Sequence, residues 1–281
     1  MLKFGGTMMG KNCQEFNAEI EIVNIVNHIK KYFAENGGPT TKAVIGISGG
    51  KDSTIAAALL VRALGRDRIV GVMMPNGEQK DIDDSLRVCR ILGIPHYTIN
   101  IGSAVESLYR AIGDNVNYRL DIPQVTTNTP SRIRMATLYA VAAMVGGRVI
   151  NTGNASEAYV GYTTKYGDLA GDYAVLSDYC VSEIYKIGEK LTELPIELVR
   201  KTPSDGMCGK SDEDNLGFSY EVLDAYLLNG DYPTAEVLHN IELRHKRNLH
   251  KRVISLPHPR NQTRPYNSNS GFHSEDNVWS F

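Results

Sequence analysis

The sequence is poor in features that mark several protein classes. It has 4 cysteines in 281 residues, widely spaced and without a Cys-x-x-Cys pair, so we expect neither a disulfide framework nor a structural zinc site. Its longest strongly apolar stretch, residues 139–145, is too short to span a bilayer. No apolar segment of the kind found in secretory signals follows the N-terminus. These features favour a cytoplasmic protein without a membrane partner.

Neither sign of charge is in excess. The chain has 30 Lys+Arg against 32 Asp+Glu, which gives a formal net charge of −2. We therefore expect no broad basic surface and no nucleic-acid partner. Hydrophobic residues make up 42% and charged residues 22% of the chain, which is typical of a globular protein. The length suits one large α/β domain or two small ones.

Short apolar runs alternate with helical patterns through the first half of the chain. Runs typical of buried strands lie at 43–47, 69–74 and 97–99, and a fourth lies at 148–151. Helical patterns are found at 16–33, 55–60, 83–92, 104–112, 133–145, 181–191, 220–228 and 234–249. The alternation predicts right-handed crossovers and an α/β fold, in which a doubly wound parallel sheet has helices on both faces.

Two connections and the end of the chain complete the expected organisation. Asn128-Thr129-Pro130 is typical of an N-cap followed by proline at the first helical position, so a helix is expected to begin there. Residues 152–177 are rich in glycine and polar residues and are too long for an ordinary connection, which indicates a functional loop. We expect one domain over residues 1–256 and a mobile or partner-contacting tail over residues 257–281.

The sharpest local motif is Ser48-Gly49-Gly50-Lys51-Asp52-Ser53, which lies where a predicted strand ends and a helix begins. Glycines let the backbone approach an anion, and a helix N-terminus offers free N–H groups and the positive end of its dipole. The two serines add hydroxyl donors, and the carboxylate of Asp52 is a ligand that Mg²⁺ accepts. The motif therefore predicts a phosphate-binding loop rather than a simple turn.

This loop is not one of the two common nucleotide motifs. A P-loop needs Ser or Thr after its lysine, but Lys51 is followed by Asp52, and Gly209-Lys210-Ser211 has Ser204 where the first glycine should stand. No G-x-G-x-x-G joins a strand to a helix, so a dinucleotide site of the Rossmann type is not supported. Ser-Gly-Gly-x-Asp-Ser instead resembles the signature of ATP pyrophosphatases, which split ATP between its α- and β-phosphates.

A second cluster narrows the resemblance to one family. Thr152-Gly153-Asn154-Ala155-Ser156-Glu157 is followed by Thr164-Lys165-Tyr166-Gly167-Asp168, and here the chain resembles the ammonia-dependent NAD synthetases. Segments 128–135, 201–204 and 245–247 agree with that family in the same order, so the resemblance spans residues 16–249. It implies a doubly wound homodimer that joins ammonia to the nicotinate carboxylate of deamido-NAD with ATP, giving NAD, AMP and pyrophosphate.

The resemblance also implies roles for individual residues. ATP contacts are expected at Gly46, Ile47, Ser48, Gly49, Gly50, Lys51, Asp52, Ser53, Thr152 and Ser204. Asp52 and Glu157 are expected to ligate Mg²⁺ and to form the catalytic group with Lys165 and Asp172. Contacts to deamido-NAD are expected from Tyr32, Arg132, Lys165, Asp172, His245 and Lys246.

Two positions depart from the family pattern. Better-known members have a basic residue that helps to hold ATP where this chain has Val181, and Lys186 is too displaced to replace it. We hypothesise that Lys51 or Lys210 compensates for the missing charge. Asn151 stands at a position that is commonly glycine, which predicts a tighter backbone there.

Two alternatives stay open at this point. One is another ATP pyrophosphatase with the same motif, such as a GMP synthetase-like core or a tRNA-modifying enzyme; the latter should show a basic domain or zinc cysteines. The other is a non-catalytic nucleotide-binding sensor, which would not need Asp52 and Glu157 as a pair. No amidase domain is expected beside the synthetase segments, so free ammonia is the predicted nitrogen source.

Overall fold

A computed structural model describes residues 16–78, 82–201 and 211–252. Within these ranges the strands are β1 (Lys42–Gly46), β2 (Ile69–Met73), β3 (His96–Thr98), β4 (Gly147–Asn151) and β5 (Tyr173–Ala174). The helices are α1 (Ala18–Glu35), α2 (Lys51–Leu64), α3 (Ile82–Leu92), α4 (Gly102–Gly113), α5 (Pro123–Val145), α6 (Ala155–Val160), α7 (Val181–Glu189), α8 (Ile196–Val199), α9 (Asp212–Leu216), α10 (Tyr220–Asp224) and α11 (Ala235–Asn248). Shorter helical turns lie at Arg66–Arg68, Ala225–Asn229 and Leu249–Arg252. The expected tail over residues 257–281 lies outside the described residues.

The strands form one parallel sheet in the order β3-β2-β1-β4-β5. β1 is central, and its Val44 pairs with Val70 of β2 and with Val149 of β4. All three valines are buried, and β-branched side chains suit a sheet that is covered on both faces. The predicted doubly wound parallel sheet is confirmed, and the four predicted strands are found within one residue of their expected bounds.

Helices cover the sheet on both faces. Helices α1, α2 and α7 pack together on one face, where Ile29, Phe33 and Leu59 belong to the larger apolar core. Helices α4 and α5 close the other face, where Leu138 packs with Val72 and other strand valines. Burial of each such side chain stabilises the fold by about 1.5–3 kcal/mol. Because many of them pack on both faces, the sheet is a rigid support for the loops at its ends.

A third apolar cluster joins α6 to helices from the second half of the chain. It contains Val160 of α6, Val181 of α7, Leu216 of α9, Leu223 of α10 and Ile241 of α11, all buried. Because α6 follows β4 after three residues, this cluster fixes the position of the short helix that carries Glu157.

The strand order creates a crevice at the centre of the sheet. From β1 the chain proceeds outward to β2 and β3, and it then returns to the other side of β1 with β4 and β5. Loops that follow β1 and β4 therefore leave the sheet in opposite directions, and the gap between them at the carboxyl ends of the strands is the usual ligand site of such folds. The predicted phosphate loop follows β1, and the 152–154 segment follows β4.

One predicted helix boundary was wrong. Helix α5 begins at Pro123, and Pro130 lies inside it. Pro123 takes the first helical position, where the missing N–H is not needed. The side chain of Asn128, which was expected to cap a helix, instead accepts a hydrogen bond from the Thr164 hydroxyl at 2.8 Å.

The segment expected to be a long loop, 152–177, contains two short elements, α6 and β5. β5 has only two residues, and α6 has six, so neither is long enough to give a clear apolar period. In the part of the chain that the structure describes, no helix has the length and apolarity needed to cross a membrane.

Candidate active site

The loop after β1 forms a small cradle lined by hydroxyl and N–H groups. The Ser48 and Ser53 hydroxyls lie 3.1 Å apart across it, and the Gly50 N–H donates to the Ser48 hydroxyl at 3.2 Å. Gly49 has φ +77, and a Cβ at this position would lie 3.1 Å from the backbone N of Ser85. Glycine is thus required both by conformation and by the close approach of a second chain segment.

The cradle opens onto the N-terminus of α2. Gly50 is the N-cap of this 14-residue helix and has no side chain that could satisfy the first N–H groups. These groups and the helix dipole favour a bound anion at this end. The arrangement is able to hold the phosphates of a nucleotide.

Two carboxylates lie beside the cradle, one from each side of the crevice. Asp52 is in the first turn of α2, and Glu157 is in the first turn of α6. Asn154 and Glu157 form a capping box, in which the Glu157 N–H donates to Asn154 Oδ1 at 2.9 Å and the Asn154 N–H donates to Glu157 Oε2 at 3.3 Å. The box holds the Glu157 side chain on the crevice side of its helix.

The two carboxylates interact strongly. Burial, and then the negative charge of Asp52, raise the pKa of Glu157 to about 8, against the opposing effect of Lys51. The carboxylate is enclosed, although the residue as a whole is half-buried. A buried carboxyl group whose pKa is raised by a neighbouring carboxylate indicates a site prepared for a cation.

Unsatisfied polar atoms support the same interpretation. Asp52 Oδ1 and the Tyr220 hydroxyl are buried without a hydrogen-bond partner among the described residues. Glu157 and Asp52 both raise the pKa of the Tyr220 hydroxyl through their charge, so this hydroxyl lies near the two carboxyl groups. No group of three or more His, Cys, Asp or Glu residues converges in the described part of the chain. A carboxylate pair nevertheless fits Mg²⁺, which keeps several waters and uses one or two carboxylates together with substrate phosphates.

Lys51 fills the remaining space beside this pair. Its ammonium donates to Asp52 Oδ2 at 2.6 Å and lies 5.7 Å from the centre of the Tyr185 ring. The side chain is only 2% exposed. The structure thus brings together Asp52, Glu157 and the predicted loop Gly46–Ser53.

The end of β4 is tied to the loop that precedes β5. Asn151 donates from its amide to the carbonyls of Asp168 at 2.7 Å and Ala170 at 3.0 Å, and its Oδ1 accepts from the Gly153 N–H at 2.9 Å. A Cβ at Gly171 would lie 2.8 Å from the Asn151 backbone. The close backbone packing expected at Asn151 is present, and it positions the half-buried Thr152 beside the crevice.

Tyr32 and Asp172, both expected to contact deamido-NAD, lie together. The Tyr32 hydroxyl donates to the Asp172 carbonyl at 3.0 Å, and the Tyr32 ring stacks on Tyr173 with ring centres 4.4 Å apart. The Asp172 carboxylate accepts from the Val149 N–H at 2.7 Å and from the Tyr139 hydroxyl at 3.2 Å. This group offers a flat aromatic surface next to a fixed carboxylate.

Arg132 and Lys165 form a second predicted pair. Arg132 Nε donates to the Lys165 carbonyl at 3.1 Å, and the Lys165 ammonium donates to the His250 carbonyl at 2.8 Å. Asp168 ties the loop that carries Lys165 to α5, because its carboxylate accepts from the Ser131 hydroxyl of α5 and from the Thr164 N–H of the loop, each at 2.8 Å. Arg132 on α5 and Lys165 on the ordered loop are therefore held next to each other.

His245 is part of a stack rather than a free basic face. Its ring lies 4.1 Å from the Tyr159 ring centre, and its Nδ1 is 3.0 Å from the Tyr159 carbonyl. Arg252 donates to the carbonyls of Ala158 and Tyr159. Lys246 is exposed on α11. Ser204 and Lys210 lie outside the described residues.

Several residues of the site had no role in the sequence-based prediction. Tyr139 and Tyr220 reach the site through contacts between distant segments, for which no local pattern gives a signal. Asp168 stands in the Thr-Lys-Tyr-Gly-Asp motif, so its position could have marked it as an organiser of that loop. Val181 lies in the third apolar cluster.

Comparisons with known proteins agree on one family. The model of the NAD synthase family matches residues 21–263. An NH₃-dependent NAD⁺ synthetase of Pyrococcus horikoshii is 39% identical over 204 residues, which are 72% of this chain and 76% of the relative. A solved NMN synthetase of Francisella tularensis has a TM-score of 0.79 and 33% identity, covering 86% of this chain and 99% of that one. A solved NH₃-dependent NAD synthetase of Campylobacter jejuni has a TM-score of 0.67 and 26% identity over 87% of this chain and 99% of its own.

Proposed function

The chain belongs to the NAD synthase family and serves NAD biosynthesis by amidation, and we propose that the crevice between β1 and β4 is where ATP activates the acceptor acid. The acceptor is deamido-NAD and the nitrogen donor is free ammonia. The products are NAD, AMP and pyrophosphate. The GMP synthetase-like alternative and the non-catalytic sensor are not supported by the family match.

One observation carries this proposal: a cradle of hydroxyl and N–H donors lies beside two carboxylates that come from opposite sides of the crevice. A carboxylate is a poor electrophile because oxide is a very poor leaving group. Adenylation at the α-phosphate releases pyrophosphate and makes the carboxylate a mixed anhydride with AMP, so ammonia can then attack the carbonyl carbon and AMP can leave. The adenylation step depends mainly on in-line positioning of the carboxylate and the α-phosphate and on dispersing the phosphate charge.

Asp52 and Glu157 are the residues that would hold Mg²⁺. The unpartnered Asp52 Oδ1 and the enclosed Glu157 carboxylate support this assignment. When bound, the metal supplies positive charge that stabilises the phosphate oxygens of the transition state. The chain itself contributes the N–H groups at the start of α2 and the hydroxyls of Ser48 and Ser53, which orient the phosphates.

The proposed ATP contacts follow the loop after β1 and continue on the other side of the crevice; the side chain of Ile47 is buried in the larger apolar core, so this residue would contribute its backbone. The contacts run from Gly46, Ile47, Ser48, Gly49, Gly50, Lys51, Asp52 and Ser53 to Thr152 across the crevice. Ser204 is retained as a proposed contact from the sequence alone.

The acceptor is proposed to lie across the outer part of β4 and β5. Tyr32 presents its ring for the pyridine, and Asp172 is fixed beside it by hydrogen bonds from Val149 and Tyr139. Arg132 and Lys165 provide positive charge for the acceptor's phosphates and carboxylate. Contacts from His245 and Lys246 stay proposals based on sequence, and the stack of His245 on Tyr159 supports a positioning role for that ring.

A homodimer is also proposed, and α5 supports it. This helix exposes an apolar face of five residues at helical spacing: Ala136, Tyr139, Ala140, Ala143 and Met144. Met144 is 85% exposed, and a row of apolar groups in water is typical of an interaction surface. Tyr139 also contacts Asp172, so this face reaches the acceptor site. Met144→Arg should lower the sedimentation coefficient to that of a monomer; an unchanged value would contradict the proposal for this face.

A second acceptor is supported by one comparison. The solved Francisella tularensis relative is an NMN synthetase. The acid that corresponds to NMN, nicotinate mononucleotide, has the same pyridine carboxylate as deamido-NAD but lacks its second nucleotide. Measuring kcat/KM with deamido-NAD and with nicotinate mononucleotide in parallel distinguishes the two. We propose deamido-NAD as the better acceptor, and a higher value for the mononucleotide would reverse that assignment.

The proposal as a whole is tested with purified protein, ATP, Mg²⁺, ammonium and deamido-NAD. NAD, AMP and pyrophosphate should appear in equal amounts. Asp52→Ala and Glu157→Ala should abolish AMP formation, whereas the exposed control Asp67→Ala should not. Formation of ADP, or full turnover in either crevice variant, would refute the assignment.

A further inference from the structure

Lys51 stands where a lysine is unfavourable. It is the first residue of α2, so its charge lies at the positive end of the helix dipole. Its side chain is only 2% exposed, and burial opposes the charged form of an amine. A cation in such a place indicates that neighbouring negative charge, of the protein or of a ligand, stabilises it.

The negative charge comes from the two carboxylates of the crevice. The Lys51 ammonium donates to Asp52 Oδ2 at 2.6 Å, and Glu157 is close enough to interact with it electrostatically. The Tyr185 ring lies 5.7 Å from the same ammonium. The ammonium is thus a charged partner of both groups proposed to ligate Mg²⁺.

The neighbouring helix α7 has its one lysine in its last turn and no cation in its first turn. Helix α7 begins with Val181, which is buried in the third apolar cluster. Lys186, one turn further along, lies over the Phe16 ring at 5.7 Å. Among the described lysines, Lys201 donates to Asp84 Oδ2 at 2.6 Å, whereas Lys51 directly follows the phosphate loop and is in a position to meet a triphosphate.

We infer that the Lys51 ammonium is a cation of the ATP site that changes partners, from the protein's own carboxylates to the phosphates of bound ATP. Without nucleotide, its ammonium neutralises Asp52, to which it donates, and lies close enough to Glu157 to act on it electrostatically, so it keeps the two carboxyl groups together. When ATP and Mg²⁺ bind, the Lys51 ammonium is replaced by the metal beside the two carboxylates. The ammonium then donates to the triphosphate and supplies the basic contact that Val181 cannot provide. This inference rests on the proposed assignment of the crevice as the ATP site.

The exchange needs only a change of side-chain rotamer. Lysine has a flexible four-carbon stem and three donors that point in different directions. Lys51 is bonded directly to the loop that ends at Gly50, so the phosphate cradle lies within reach of the same side chain. The backbone can remain in place while the ammonium changes partners.

Two binding measurements with the full chain test the inference. The first is titration of Mn²⁺ alone, followed by electron paramagnetic resonance, on the wild type and on Lys51→Met, which keeps the buried stem and removes the charge. The second is binding of Mg²⁺ with α,β-methylene-ATP by calorimetry. Lys186→Met is the matched control, because it removes an exposed lysine that contacts Phe16.

The two affinities should move in opposite directions. Without its ammonium competitor, the carboxylate pair of Lys51→Met should bind Mn²⁺ about 10- to 100-fold more tightly, and the nucleotide analogue about 10- to 100-fold more weakly, as one charge-assisted hydrogen bond allows. The control should change neither constant. A merely structural lysine would weaken both, and unchanged Mn²⁺ binding would overturn the inference.

A crystal structure of the wild type with Mg²⁺ and α,β-methylene-ATP decides the matter if Lys51→Met does not fold. The Lys51 ammonium should then lie at hydrogen-bond distance from a phosphate oxygen and away from Asp52; a retained Lys51–Asp52 pair would overturn the inference. Neither binding test uses the acceptor. A failure to amidate deamido-NAD would therefore count against the proposed function alone, and opposite shifts in the two affinities would still support the exchange.

Discussion

Glu157→Gln should make the metal-free protein more stable at alkaline pH. Burial and Asp52 raise the pKa of Glu157 from 4.5 to about 8, so between these values the folded protein keeps a proton that the unfolded chain releases. The free energy of unfolding therefore falls as pH rises through this window. Each pKa unit corresponds to about 1.4 kcal/mol, so ionised Glu157 opposes folding by at most about 5 kcal/mol. Relaxation of the surrounding groups and entry of water reduce this cost, so we expect about 1–3 kcal/mol.

The assay is urea unfolding in the presence of EDTA, at about pH 5 and at about pH 8.5, for wild type and variant. Near pH 5 the folded wild type carries a neutral carboxyl, which glutamine resembles in shape, so the two proteins should differ little. At the higher pH the variant should be the more stable one. Adding Mg²⁺ should stabilise the wild type and leave the variant nearly unchanged.

The control is Glu35→Gln, which replaces an exposed carboxylate at the end of α1. Its stability difference from wild type should be small and almost independent of pH. If Glu157→Gln were less stable than wild type by the same amount at both pH values, Glu157 would be only a helix cap. The interpretation of the crevice as a cation site would then be refuted.

Three other substitutions test the acceptor contact, the phosphate loop and the attachment of α7. Tyr32→Ala should raise KM for deamido-NAD about tenfold or more while leaving KM for ATP unchanged, which steady-state kinetics would show; equal effects on both would contradict an acceptor role. Gly49→Ala places a Cβ 3.1 Å from the Ser85 N at φ +77 and should weaken ATP binding, whereas Gly65→Ala, with φ +81 and open space, should cost only stability. Asp224→Asn leaves the half-buried Ser182 N–H of α7 with a weaker partner, so thermal unfolding should show a loss of about 1–3 kcal/mol; an unchanged melting temperature would mean that this bond contributes nothing.

The sheet and the centre of the site could be predicted because their signals are local. Apolar runs mark β1, β2 and β4, and glycines and serines mark the loop after β1. When strands alternate with crossover helices, the right-handedness of the crossovers and the order of the strands place the loops after β1 and β4 side by side. Asp52 and Glu157, distant in sequence, therefore meet for topological reasons.

The rest of the site depends on contacts that local patterns do not contain. The Tyr220 hydroxyl is buried near Glu157 because α10 packs against α6 and α7, and nothing in the neighbouring residues indicates this. Pro130 misled the prediction of α5 because a second proline, Pro123, takes the first helical position. The burial of Lys51 runs against the usual exposure of lysine at a helix start, so it becomes visible only when its partners are seen together.

The central claim is that the acceptor carboxylate attacks the α-phosphate of ATP. It is tested most directly with deamido-NAD labelled with ¹⁸O in both oxygens of its nicotinate carboxylate, incubated with ATP, Mg²⁺, ammonium and the purified protein. Mass spectrometry should find one ¹⁸O in the phosphate of AMP and one in the amide of NAD, with none in pyrophosphate. Label in inorganic phosphate or pyrophosphate, or unlabelled AMP formed together with NAD, would contradict the account.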